Sequence, residues 1–82
     1  MTVRLRFFAA LRERIGRSEL EVALADGARV ADAWAMICQQ HPQVEMMGGA
    51  MSFALNHEYV ERDHLLAHGD ELALIPPVSG GL

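Results

Sequence analysis

Eighty-two residues make room for one domain and exclude a second core. An apolar share of 51% against 22% charged residues is enough to fold without staples, and the single Cys38 excludes an internal disulfide, so a reducing compartment is expected. A net charge of −4 argues against nucleic acid as a partner and for a partner with a basic face.

The chain opens with MTVRLRFFAALRERIG, where Arg4, Arg6, Arg12, Glu13 and Arg14 interrupt any signal-peptide core. No run approaches the ~20 apolar residues that cross a bilayer. A cytoplasmic protein without a membrane partner is expected. Within this opening, TVRLRFF alternates: Val3, Leu5 and Phe7 share one face, and Thr2, Arg4 and Arg6 the other. A period of two predicts a strand with one buried side. In AALRERIG, Leu11 and Ile15 stand four apart on one helical stripe, and Gly16 is a natural helix stop.

SELEVAL alternates again through Leu20, Val22 and Leu24, and Ala25–Ala28 supplies Asp-Gly turn chemistry. From Arg29 to Gln40, the positions Val30, Ala33, Trp34, Ile37 and Cys38 recur at helical spacing. They predict the main helix, ended by His41-Pro42 because a residue before proline leaves the helical region. QVEMMGGAM shows no clear period, and Gly48-Gly49 marks a loop. SFALN and EYV predict short strands joined around the turn pair Asn56-His57. ERDHLLAHGD reads as a polar connection holding a single helical turn. ELALI is the last strand, stopped by Pro76-Pro77, which cannot donate to a ladder.

Strand, short helix, strand, long helix, two short strands and a final strand predict an α+β fold. The architecture is a ubiquitin-like β-grasp, a mixed sheet of about five strands with one main helix on one face. The first and last strands are the most hydrophobic and belong side by side in the middle. Residues 1–75 form the domain, and 76–82 a flexible tail carrying the diglycine.

The body offers no self-contained active site. His41, His57, His64 and His68 sit in loops or at element ends without cysteines at ligand spacing, so they read as surface histidines and no metal is expected. Cys38 reads as a small core residue. Glu58, Glu61, Asp63, Asp70 and Glu71 form a diffuse acidic region, read as a solvated face with a basic partner's docking surface as the sharper alternative. Gly80-Gly81 has no helix after it to hold a phosphate, and no histidine is placed to activate Ser79.

Chemistry therefore concentrates in PPVSGGL. Pro76-Pro77 favours an extended exit from the last strand, and Val78 can anchor in an apolar slot. Gly80-Gly81 lacks Cβ atoms, so the peptide can pass a narrow channel and present its carboxylate to a reactive centre. A carboxylate is a poor electrophile. Condensation with ATP to an acyl-adenylate activates it; a sulfur nucleophile then leaves a thiocarboxylate, and an amine leaves an isopeptide bond.

RFFAALRERIG, ALNHEYV and HGDELALIPPVSGG, with the spacing among them, resemble the MoaD family, the small subunits of molybdopterin synthase, over nearly the full length. The related thiazole-synthesis family ThiS shares the fold and the diglycine but usually lacks Pro-Pro. The resemblance implies a non-catalytic sulfur carrier for molybdenum cofactor biosynthesis, with no bound cofactor. Gly81 would be adenylated by a ubiquitin-activating-like enzyme using ATP, then converted to a thiocarboxylate with sulfur from a donor protein. It would give that sulfur to the cyclic pyranopterin precursor inside the large synthase subunit, in a heterotetramer. Gly80 would provide clearance, and Pro76, Pro77, Val78 and Ser79 the inserted segment. Leu74 and Ile75 match partner-facing apolar positions, whichever points outward, and Arg12 matches a docking arginine.

Three other readings stand beside this one: a thiocarboxylate donor for thiazole, cysteine or thiolated-nucleoside synthesis, a protein modifier joined to lysines, and a binding module with an inert tail. Leu82 departs from the pattern, since its isobutyl group would have to pass a channel shaped for hydrogen. Trimming by a peptidase or addition in cloning is favoured over a natural variant.

Overall fold

The computed structural model describes residues 1–77. Its elements run β1 (Thr2–Phe7), α1 (Ala9–Ile15), β2 (Glu19–Ala23), α2 (Val30–Gln40), a 3₁₀ helix (Pro42–Ala50), β3 (Ser52–Leu55), β4 (Glu58–Val60) and β5 (Glu71–Ile75). The five strands form one sheet in the order β2-β1-β5-β3-β4. Only the central β1–β5 pair is parallel. This is the β-grasp that the order of elements predicts, with the two most hydrophobic strands at its centre.

Alternation in β1 decides the layering. Val3 and Leu5 are wholly buried and Phe7 nearly so, whereas Arg4 and Arg6 are exposed. β5 repeats the pattern, with Leu72 and Leu74 buried and Glu71, Ala73 and Ile75 half-buried on the opposite side. The inward residues meet Val30, Ala33, Trp34 and Ile37 from α2, and Leu11 and Ile15 from α1. Burying a side chain of the size of Leu or Phe contributes roughly 1.5–3 kcal/mol relative to leaving it in water. That makes this layer the main source of stability. Gly16 adopts φ +83° and donates its N–H to the Arg12 carbonyl, closing α1 with the left-handed stop that only glycine takes without strain.

The Asn56-His57 turn joins β3 to β4 with φ of +49° and +76°. Two successive positive φ values are the hairpin geometry that matches strand twist. Asn56 also ties the hairpin to β5. Its Nδ2 donates to Asp70 Oδ1 at 2.9 Å, its Oδ1 accepts from the Glu71 N–H at 3.0 Å, and its own N–H donates to the Glu71 carbonyl at 2.8 Å.

Two expectations are corrected. The stretch read as an aperiodic loop is a 3₁₀ helix of nine residues that buries Val44 completely. Gly48 serves a close approach there: a Cβ at that position would stand 3.1 Å from the Trp34 indole nitrogen. Arg62 fastens the same segment, donating to the Gly48 carbonyl while its guanidinium lies 5.0 Å from the Phe53 ring centroid.

The second correction concerns residues 61–70, which hold turns and an isolated bridge between Leu65 and Arg29 but no helical turn. The carbonyls of Arg62 and His64 accept from Ala31 and Val30, the first N–H groups of α2. A helix N-terminus leaves such donors without partners, and the 61–70 segment supplies them from an irregular backbone.

Candidate functional site

Every feature that could serve the tail gathers at one end of the sheet. β1 and β5 run in the same direction with Phe7 opposite Leu74, and β3 starts beside them with Ser52 opposite Ile75. Chain exit after β5, the entry into α1 through Phe8, and the Met51–Ser52 corner therefore lie together. Pro76 is buried and Pro77 exposed. Lacking N–H groups, the two prolines end the ladder, and their fixed φ carries the chain onward in extended form. Val78, Ser79, Gly80, Gly81 and Leu82 lie outside the described residues.

Leu74 and Ile75 separate cleanly. Leu74 is fully buried and belongs to the core, so of the two only Ile75 lies on the outer face of the sheet. Strand alternation allows nothing else once Phe7 and Leu74 share a register inside. Ile75 stands in a region that sequence reasoning did not assemble: Ala73 beside it on β5, Ser52 and Ala54 on β3, and the 75%-exposed Tyr59 opposite Ala54 on β4. The period of two in SFALN and ELALI carries that signal, but pairing Tyr59 with Ala54 needs the register. An open groove borders the region, lined by apolar Met51, Phe53 and Val60 together with Ser52, Tyr59 and the charged Glu61, Arg62 and Asp63.

Toward β1 and β2 the outer face becomes ionic. Arg4 Nε lies 3.5 Å from Glu19 Oε1 and Arg6 Nη1 lies 3.6 Å from Glu71 Oε2, while the Arg6 guanidinium also sits 5.5 Å from the Phe8 ring centroid. Arg12 is exposed on α1, a turn beyond the tail end.

The acidic region read from the sequence divides. Glu58, Glu61 and Asp63 are exposed. Asp70 instead organises its own turn, its Oδ2 accepting from the Ala67 N–H at 2.7 Å. Among the described residues no three His, Cys, Asp or Glu side chains gather as a metal site. His68 Nδ1 accepts from the Thr2 N–H at 2.9 Å. Cys38 is half-buried against the core, and burial first, then the charge of Glu45, raises its thiol pKa. A raised thiol pKa lowers the fraction present as the nucleophilic thiolate.

What the arrangement can do is present a tail. The body supplies a rigid strand end, an uncharged outer face around Ile75, and no catalytic cluster among the described residues. The ThiS family model matches residues 5–81. A molybdopterin synthase sulfur carrier subunit of Chlamydomonas reinhardtii is 41% identical over 99% of this chain and 100% of its own. The crystal structure of small archaeal modifier protein 1 from Haloferax volcanii superposes with a TM-score of 0.86 at 31% identity, covering 99% of this chain and 100% of that one. A chain in the complex of subunits 1 and 2 of molybdopterin-converting factor from Helicobacter pylori superposes with a TM-score of 0.68 at 27% identity, covering 99% and 100%. This chain belongs to the ThiS family, among the molybdopterin synthase sulfur carrier subunits.

Proposed function

We propose that the chain carries sulfur on its C-terminal carboxyl for molybdopterin synthesis. The carrying observation is the strand end itself: β5 terminates in a Pro-Pro exit beside an uncharged outer face, and the sequence beyond it ends in the diglycine. The Gly81 carboxylate attacks the α-phosphorus of ATP, and pyrophosphate leaves. A sulfur nucleophile, supplied by a donor protein, then displaces AMP from the acyl-adenylate and leaves a thiocarboxylate. Adenylation belongs to a ubiquitin-activating-like enzyme, so the chain binds no cofactor and performs no catalysis alone.

The loaded tail enters the large synthase subunit and gives its sulfur to the cyclic pyranopterin precursor, in a heterotetramer of two small and two large subunits. Ile75, the buried Pro76 and the exposed Pro77 aim the segment Val78–Ser79, while Gly80 provides backbone clearance. The Helicobacter pylori complex of subunits 1 and 2 supports the large-subunit partner. Leu82 must be removed before Gly81 can act. Residues 1–75 form the domain, residues 76–82 the tail, and a cytoplasmic setting supplies ATP and the partners.

Reconstitution tests this reading. The chain ending at Gly81, with the activating enzyme, ATP and a sulfur donor, gains the mass of sulfur in place of oxygen and turns the precursor into molybdopterin with the large subunit. Full sulfur transfer by protein that retains Leu82 overturns it. The likeness to small archaeal modifier protein 1 favours a second reading, attachment to lysines of other proteins. That reading is supported by lysine-linked conjugates recovered from the native host.

A further inference from the structure

We propose that the chain is a donor-only acyl carrier: its folded body presents no free amine able to hold the activated carboxyl of another copy as a stable amide. The inference deepens the carrier reading and rests on it for the nature of the donor group. An acyl-adenylate or thioester reacts with any free amine it meets. The amine lone pair attacks the carbonyl carbon, a C–N bond forms, the C–O bond to AMP or the C–S bond to a thiol breaks, and the amine proton passes to water. A carrier at working concentration meets its own copies continually, so its surface is the first acceptor on offer.

This surface offers no side-chain amine. All seven cationic side chains are arginine, and the 82 residues hold no lysine. A guanidinium stays protonated and delocalised at any physiological pH and has no lone pair to give. A lysine amine loses its proton near pH ~10.4 and keeps a small reactive fraction at neutrality. The substitution matters most at the donor end, where α1 leaves β1 beside the strand end that bears the tail and where Arg12 and Arg14 are exposed. A lysine there would stand within reach of an activated carboxyl.

The remaining amine is the α-amino group of Met1, and the fold occupies it. It donates to the Leu24 carbonyl at 2.8 Å and lies 3.8 Å from Asp26 Oδ1, and the Met1 side chain is only 5% exposed. The Leu24 N–H in turn donates to the Met1 carbonyl at 2.8 Å, extending the β1–β2 ladder by one residue. β1 runs parallel to β5, so Met1 lies at the end of the sheet opposite the tail, roughly 20 Å away along the strand at about 3.3 Å per residue. Attack from this nitrogen requires loss of an ammonium proton that the Leu24 carbonyl and the Asp26 carboxylate favour keeping.

The test takes the full chain with its terminal carboxyl as a thioester, concentrated at neutral pH and followed by intact mass. Only hydrolysis to the free acid is expected. Arg17→Lys, at an exposed loop position outside the docking region, is expected to form a covalent dimer at least about tenfold faster, with the new bond mapped to position 17. Arg14→Lys repeats the measurement at a second site. Dimer formed by the unchanged chain at the rate of R17K, through Met1, overturns the inference. So do lysine variants that stay single while N-acetyl-lysine captures the same thioester, because the missing amine would then not be the protection. ATP–pyrophosphate exchange with the activating enzyme tests the carrier reading separately: its failure sinks that reading and leaves the thioester result standing.

Discussion

The outer face of the sheet has two halves that follow the same strand geometry and behave oppositely. Over β2 and β1 the outward positions are Glu19, Glu21, Arg4 and Arg6, with Arg4 paired to Glu19 at 3.5 Å and Arg6 to Glu71 at 3.6 Å. Over β3, β4 and the last part of β5 they are Ala73, Ile75, Ser52, Ala54 and Tyr59, which carry no charge, while Glu71 at the start of β5 belongs to the ionic half. The first half is solvated and satisfied within the molecule. The second is small, uncharged and continuous with the tail exit, which is the composition of a surface meant to be covered. Burial in the core does not distinguish them, because both halves back onto the same inner layer. The difference marks one half for a partner and the other for water.

The largest effect that tests this contrast lies beyond the uncharged half. Gly81→Ala in a chain ending at that residue should abolish thiocarboxylate-dependent molybdopterin formation while leaving the urea midpoint unchanged. Retained synthesis would detach the tail from the function. Next in size, Leu74→Ala should destabilise the fold by about 2–5 kcal/mol in urea titration, since it empties a wholly buried site. Its neighbour should do the reverse. Ile75→Glu should change stability by less than about 1 kcal/mol yet weaken binding to the large subunit tenfold or more, read by calorimetry. Equal effects from the two would erase the division between core and docking face.

Asn56→Ala should cost about 1–2 kcal/mol. It removes two side-chain hydrogen bonds and leaves a β-carbon at a positive φ. Smallest of all, Arg4→Ala in the ionic half should shift stability by no more than about 0.5 kcal/mol and leave partner affinity alone, because its ion pair is half exposed. A larger loss of affinity would extend the docking surface across β1.

Much of this protein was legible without coordinates because its signals are local. Alternation in TVRLRFF and ELALI, the helical stripe from Val30 to Ile37, Gly16 as a stop and Asn56-His57 as a turn each act over a few residues. The misses have a common cause. Pro42–Ala50 carries no helical hydrophobic period, and its conformation is held by Val44 in the core, Gly48 under Trp34 and Arg62 on the Gly48 carbonyl. Residues 61–70 keep an irregular backbone that supplies carbonyls to the first N–H groups of α2. Partners distant in sequence take part in both.

The sequence by itself determined the β-grasp, the central pairing of first and last strands, the Pro-Pro exit and the terminal diglycine, because periodicity and backbone chemistry are properties of short stretches. It also determined the absence of lysine. Only the tertiary structure decided that Leu74 is core and Ile75 is surface, that the uncharged positions of three strands merge into one region, and that the Met1 amine is tied down at the far end. Those depend on register and on which strands lie side by side, and register is set by contacts between residues far apart along the chain.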